Sequence, residues 1–239
     1  MSHAGLRGLG PAGLAAGWHP PENGSQAGAK RANEARGAKG SGSDSGVDSK
    51  GSPVEIQAHG ALIDVLEVGV LLLGPSGVGK SECALELVSR WHRLVADDVV
   101  RIRRLEGSCD EAAGLTGPGP VLVGTSPELI RHYMEIRGIG LLYIPDLYGV
   151  EAVRTEAPID LLCRLEPWRE GSEYERVGLE RPRENLAGVS LPVLVLPVRP
   201  ARNMATLVEV GVRDHLQRAA GSNAAQRLDE RLRAEHARQ

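Results

Sequence analysis

Apolar and polar residues alternate over residues 54–58, Val-Glu-Ile-Gln-Ala, which predicts a half-buried strand. His59-Gly60 predicts a tight turn, with 61–66 as the strand returning beside it. Residues 68–73 are a short apolar run ending at Gly74, the pattern of a buried strand feeding a loop. Residues 80–91 carry a helical period: Cys83, Leu87 and Trp91 share one face, with Ala84 and Val88 beside them. Residues 94–96 predict another buried strand, closed by Asp97-Asp98, and 99–105 a further strand. A polar Gly/Pro-rich connection fills 106–119, and 121–123 is short and apolar. Ser126 is placed to cap a short helix with Pro127 at its first position. Residues 134–137 and 139–144 read as strands interrupted by Gly138, and 159–165 as another. The stretch 167–187 is charged and without a period, long for a plain connection, and so functional or mobile. A Pro-punctuated strand follows at 191–198, then two helices at 203–219 and 222–238.

Composition changes the picture at the N-terminus. Residues 1–52 hold 12 of the 30 glycines and few large apolar side chains, too little apolar area to offset the entropy of ordering. We expect a disordered Gly/Ser-rich tail at 1–52 and a catalytic domain over 53–239. With no Phe, the core must be mostly Leu, Val, Ile and Ala. A net charge of −3 argues against a general nucleic-acid binder. Three widely spaced cysteines, Cys83, Cys109 and Cys163, form no CxxC or Cys/His cluster, and read as buried thiols in a reducing compartment. No apolar run approaches the roughly 20 residues that span a bilayer. Gly and Pro interrupt 8–17, so no signal peptide is expected. A cytoplasmic location follows.

Residues 74–81 read Gly74-Pro75-Ser76-Gly77-Val78-Gly79-Lys80-Ser81, which is G-x-x-x-x-G-K-[ST] between a predicted strand and a predicted helix. The glycines permit backbone dihedrals closed to other residues, so that successive N–H groups face inward around phosphate oxygens. The helix start adds unpaired N–H groups and the positive end of its dipole. Lys80 supplies a charge for the β and γ phosphates, and the Ser81 hydroxyl a ligand for Mg²⁺. Asp97-Asp98 ends the next strand within reach of the phosphates. Because adjacent strand residues face opposite ways, one of the two is expected to face the γ-phosphate, for metal or proton transfer; a turn-capping pair is the alternative. Glu135 and Arg137 fall on one face of a predicted strand, a carboxylate suited to metal and a guanidinium suited to phosphate; an ordinary surface ion pair is the alternative. Taken alone, His59 reads as a turn residue and Arg176 as a solvated charge.

Together these segments resemble a family. His59-Gly60, the P-loop, Ser81-Glu82, the run His92-Arg93-Leu94-Val95-Ala96-Asp97-Asp98, the run Met134-Glu135-Ile136-Arg137-Gly138-Ile139-Gly140, and finally residues 197–203 resemble HPr kinase/phosphorylase from about residue 54 to about 220. The P-loop is generic; the run through Asp97-Asp98 joined to the Glu135-Ile136-Arg137-Gly138 run is specific. The resemblance implies an α/β fold: a P-loop kinase domain akin to phosphoenolpyruvate carboxykinase, with a mixed sheet and C-terminal helices, assembled as a homo-oligomer, a hexamer. It implies phosphorylation of a serine on the phosphocarrier HPr by ATP or pyrophosphate with Mg²⁺, and removal of that phosphate by inorganic phosphate. Carried over by position, Lys80 holds phosphate, and Ser81 and Glu135 hold Mg²⁺. The Asp97/Asp98 pair moves the proton with His59 beside it, Arg137 and Arg176 stabilise the transferring phosphate, and residues 197–202 serve dephosphorylation.

The chain departs from the family pattern at five places, one of them the loop after residue 104. The family's N-terminal domain is expected to be absent. Ala201 stands where Gly is usual, Trp91 replaces a usual Gly, and Glu175-Arg176 replaces an Asp-Arg pair. A kinase for another acceptor and a nucleotide sensor without turnover are the competing readings.

Overall fold

In the computed structural model, the described residues are 55–106, 119–171, 174–175 and 178–238. The proposed tail at 1–52, most of the 106–119 connection, Cys109 and Arg176 lie outside them. Among the described residues, twelve strands and four helices follow in chain order. The strands are β1 (Glu55–His59), β2 (Ala61–Val65), β3 (Val68–Leu73), β4 (Arg93–Ala96), β5 (Val99–Leu105), β6 (Val121–Thr125), β7 (Tyr133–Ile136), β8 (Gly140–Tyr143), β9 (Glu156–Pro158), β10 (Leu161–Pro167), β11 (Arg183–Leu186) and β12 (Val189–Val198). The helices are α1 (Lys80–Ser89), α2 (Ile144–Tyr148), α3 (Met204–Ala219) and α4 (Ala224–His236).

A six-stranded mixed sheet, in the order β11-β12-β10-β3-β2-β4, is the centre of the fold. Its middle strands are apolar on both faces because both faces are covered. Ala61, Ile63, Val65, Val70, Leu72, Leu161 and Cys163 pack against α1 and α3, through Cys83, Ala84, Leu87, Val88, Ala205, Val208 and Val212. Between them Leu62, Leu71 and Leu162 point the other way, onto Val100, Ile102, Leu122 and Ile159. That second layer is a four-stranded sheet in the order β1-β5-β6-β9. Burying a Leu or Val side chain of this kind stabilises by about 1.5–3 kcal/mol, so the two interfaces hold the layers together.

Three expectations need correcting. β1 and β2 do not form a hairpin at His59-Gly60: β1 pairs with β5, and β2 pairs with β3 and β4. The chain there passes from one sheet to the other. A Cβ on Gly60 would sit 2.3 Å from the Leu72 carbonyl oxygen, so the crossing needs glycine. Trp91 is not on the buried face of α1. The helix ends at Ser89, Trp91 takes φ 71°, and its side chain is 93% exposed. Ser126 does not cap a helix: Glu128–Ile130 is a single 3-10 turn without a side-chain cap bond. The stretch 167–187 contains the whole of β11, which pairs antiparallel with β12.

Candidate active site

The P-loop connects β3 to α1. Gly74 has φ 151°, and a Cβ there would lie 2.3 Å from the Leu165 carbonyl oxygen on the neighbouring strand. Gly79 has φ 100° at the N-terminal cap of α1. Lys80 is buried, and its Nζ donates to the carbonyls of Gly74 at 2.9 Å and Pro75 at 3.1 Å. An ammonium has three protons, so one remains for a phosphate oxygen. The Arg137 guanidinium lies against Gly77, close enough that a Cβ would meet it at 3.1 Å.

The sheet pairing brings the remaining groups to this loop. Asp97 directly follows β4 and is 5% exposed, and its Oδ1 accepts from the Ser81 hydroxyl at 3.0 Å. Asp98 takes φ 66°, and this turn breaks the strand alternation. Both carboxylates therefore line the same cleft, where strand geometry predicted one. The pairing of β1 with β5 sets His59 opposite Val99, and the Gly60 N–H donates to the Asp98 carbonyl at 3.1 Å. His59 Nδ1 then lies 3.1 Å from Asp98 Oδ1, with both side chains more than half exposed. On the β7–β8 hairpin, Glu135 stands on the outer face and Arg137 in the turn that follows. The resulting cleft has a volume of about 220 Å³.

Burial is the main force on Asp97 and pushes its carboxyl up to about 6, against hydrogen bonds from Ser81 and from the backbone of Asp98 and Glu135. The negative Asp98 beside it adds to the rise. Cys83 and Cys163 are buried, and burial pushes both thiols up, Cys83 to about 12. As thiols rather than thiolates they are poor nucleophiles, in keeping with their reading as core residues.

The cleft fits a cation. Glu82, Asp97, Asp98 and Glu135 face Lys80 and Arg137 there, so a polyphosphate meets more negative charge than positive unless a divalent ion comes with it. Among the described residues no group of three or more His, Cys, Asp or Glu forms a metal cage. Mg²⁺ needs none, being held by one or two protein oxygens together with water and phosphate. Ser81, Glu135 and Asp97 supply such oxygens. Glu82 was not singled out for the site from sequence; its place one residue after the P-loop serine was the available signal.

A strand–loop–helix phosphate cradle with an Asp pair in the turn after a nearby strand and an α/β architecture defines a P-loop phosphate-binding protein of the kinase type. The model of the HPr serine kinase C-terminal domain family matches residues 53–232, and the chain belongs to that family. It is 48% identical over 177 residues to HPr kinase/phosphorylase of Caldicellulosiruptor bescii, covering 74% of this chain and 53% of that one. It is 49% identical over 171 residues to HPr kinase/phosphorylase of Caldanaerobacter subterraneus subsp. tengcongensis, covering 72% and 52%. The chain thus spans about half the length of the curated relatives it matches. The solved structure of the Hpr(Ser) kinase/phosphatase from Coxiella burnetii superposes with a TM-score of 0.59 at 27% identity, covering 72% of this chain and 98% of that chain. Among the described residues no helix is long and apolar enough to cross a membrane.

Proposed function

We propose that this chain is a serine-specific protein kinase/phosphorylase acting on the phosphocarrier HPr, with ATP or pyrophosphate as donor. The observation that carries the reading is the His59–Asp98 pair at the mouth of the cleft that holds Lys80 and Ser81. An exposed carboxylate beside a phosphate cradle is where an incoming hydroxyl needs a proton acceptor. Bound Mg²⁺, held by Ser81 and Glu135, would neutralise charge on the phosphate oxygens.

Asp98 takes the proton of the acceptor serine as the serine oxygen bonds to the terminal phosphorus. The bond from that phosphorus to its bridging oxygen breaks, and ADP leaves, or inorganic phosphate when pyrophosphate is the donor. His59 orients Asp98. Lys80 and Arg137 offset the charge on the transferring group, joined by Arg176 on the strength of the family resemblance. In reverse, inorganic phosphate attacks the phosphoserine, pyrophosphate forms, and Asp98 returns its proton to the serine oxygen.

The surface around the cleft supports a protein acceptor. Leu141 stands directly opposite Glu135 in the hairpin register and is 70% exposed, with Ile139 at 69% in the adjoining turn. An apolar rim beside the phosphate site suits a protein face around a serine better than a small polar acceptor. Hexameric assembly and a cytoplasmic location belong to the same proposal. The test is phosphorolysis: phosphoserine-HPr incubated with the protein, Mg²⁺ and inorganic phosphate should yield HPr and pyrophosphate in equal amounts. Release of inorganic phosphate without pyrophosphate would contradict it.

A further inference from the structure

α1 begins in the phosphate cradle at Lys80 and ends, about 15 Å on, at a separate cavity of about 730 Å³. Three of the seven non-glycine residues at positive φ among the described residues line this cavity: Leu66 at 55°, Glu67 at 62° and Trp91 at 71°. A side chain on such a backbone is strained, a bulky one most of all. Packing within the chain does not offset that strain at Trp91, which is 93% exposed and makes no ring contact with an aromatic or a cation among the described residues. Strain of this kind gathers where a surface meets a ligand.

The cavity is also short of positive charge. Asp64, which lines it, is 2% exposed. Its Oδ2 accepts from Arg93 at 2.7 Å and from Arg154, while its Oδ1 is buried with no hydrogen-bond partner. Glu67 pairs with the same two arginines. Glu151, on the turn after α2, is exposed and has no hydrogen-bond or ion-pair partner among the described residues. The other cations at the cavity are already held, Arg90 by Glu86 and Glu209 and His92 by Glu209. Asp64, Glu67, Glu86, Glu151 and Glu209 therefore face three guanidiniums and one imidazole. The C-terminal end of the α1 dipole adds negative potential, with no basic residue in the last turn of the helix.

We propose that this cavity binds a small organic cation, an ammonium or guanidinium carried on an apolar body. Its volume lies within the range of small-molecule sites, about 300–1,000 Å³. Trp91 and Tyr148 supply ring faces, and a cation within about 6 Å of such a face is attracted by it, most strongly by Trp. Glu151 and the free Asp64 oxygen are acceptors, and ammonium and guanidinium groups are donors only. Leu66 covers the apolar body. An anion of the same shape meets the surplus carboxylates, and a neutral one gains nothing from them. The site is independent of the phosphate cradle, yet its occupant touches both elements that shape the cradle: α1 carries Lys80 and Ser81 at its other end, and β4 runs from Arg93 to the residue before Asp97.

The test titrates the full chain with 2-phenylethylamine, 2-phenylethanol and 3-phenylpropionate, which share a phenyl body and differ in charge, and follows binding by ligand-observed NMR. The amine is expected to bind at least tenfold more tightly than the alcohol or the acid. Trp91→Gly suits φ 71° and removes an exposed side chain, so the fold persists, and it is expected to weaken the amine at least tenfold. Glu151→Gln removes the unpaired carboxylate and is expected to weaken it about threefold to tenfold. If the Trp91→Gly protein is unfolded, the Glu151→Gln result decides. No binding of the amine, equal binding of the three probes, or amine binding that both variants retain in full would overturn the assignment; the last would place the amine elsewhere, as in the acid-lined cleft.

Discussion

Asp97→Asn is expected to stabilise the metal-free protein at neutral and alkaline pH while abolishing Mg²⁺-dependent nucleotide binding. Burial raises the Asp97 carboxyl from 3.8 to about 6. At 1.36 kcal/mol per pH unit, this corresponds to about 3 kcal/mol. The sign follows from the direction: a raised carboxyl favours the protonated form in the folded state. Its contribution to stability is complete below about pH 3.8 and is lost as pH rises through about 6. Above that, the fold carries an ionised carboxylate at 5% exposure at a cost of about 3 kcal/mol. An Asn of the same shape keeps an oxygen for the Ser81 hydroxyl and carries no charge. Urea unfolding with EDTA present, at pH 5 and pH 8, isolates the effect. About half of the 3 kcal/mol develops between those two pH values, so the Asn variant should gain roughly 1–2 kcal/mol on the unaltered protein across that interval. A difference that is constant with pH, or that moves the other way, would refute the claim that the site holds this carboxylate against desolvation.

Asp98→Asn is expected to lower phosphate transfer to HPr by about 10²–10⁴-fold, the usual worth of a general base. Its exposed pair with His59 is worth about 0–1 kcal/mol, so the melting temperature should move by no more than about 2–4 °C; a large thermal shift would make Asp98 structural. Leu141→Asp should raise the KM for HPr at least tenfold while leaving the affinity for ATP unchanged, and an unchanged KM would remove the hairpin from acceptor docking. Ala201→Gly relieves a backbone strain of about 1–2 kcal/mol at φ 64° and loses about 0.5–1 kcal/mol to unfolded-state entropy. Its stability by urea unfolding should stay within about 1 kcal/mol of the unaltered protein, and a loss above about 2 kcal/mol would show that the methyl group is packed.

The chemistry-bearing residues were legible because they are local. A P-loop is contiguous, and its strand and helix announce themselves by an apolar run before and a helical period after. The buried strands β2, β3 and β10 were legible for the same reason, since two covered faces give largely apolar sequence. Partnership was not legible. Periodicity finds a strand without naming its neighbour, so β1 and β2 looked like a hairpin although each belongs to a different sheet. The two-sheet arrangement also explains why Asp97 and Asp98 both reach the cleft: the chain leaves one sheet at Asp97 and enters the other at Val99, and Asp98 turns between them at positive φ. Trp91 fits the helical period of α1, but the helix stops two residues earlier, where the Arg90 N–H bonds back to the Leu87 carbonyl. The short helix α2 and the edge strand β11 offer too few apolar positions to show a period. The cavity at the C-terminal end of α1 joins segments distant in sequence, which no local pattern reveals.

The most direct measurement is transfer of labelled phosphate from [γ-³²P]ATP to HPr in the presence of Mg²⁺, run beside HPr whose acceptor serine is replaced by Ala and beside the Lys80→Ala variant of this protein. The account predicts label on HPr with the unaltered enzyme, none on the Ala form of HPr, and a loss of at least a hundredfold with Lys80→Ala. ATP binding without label on HPr, or equal labelling of both HPr forms, would contradict it.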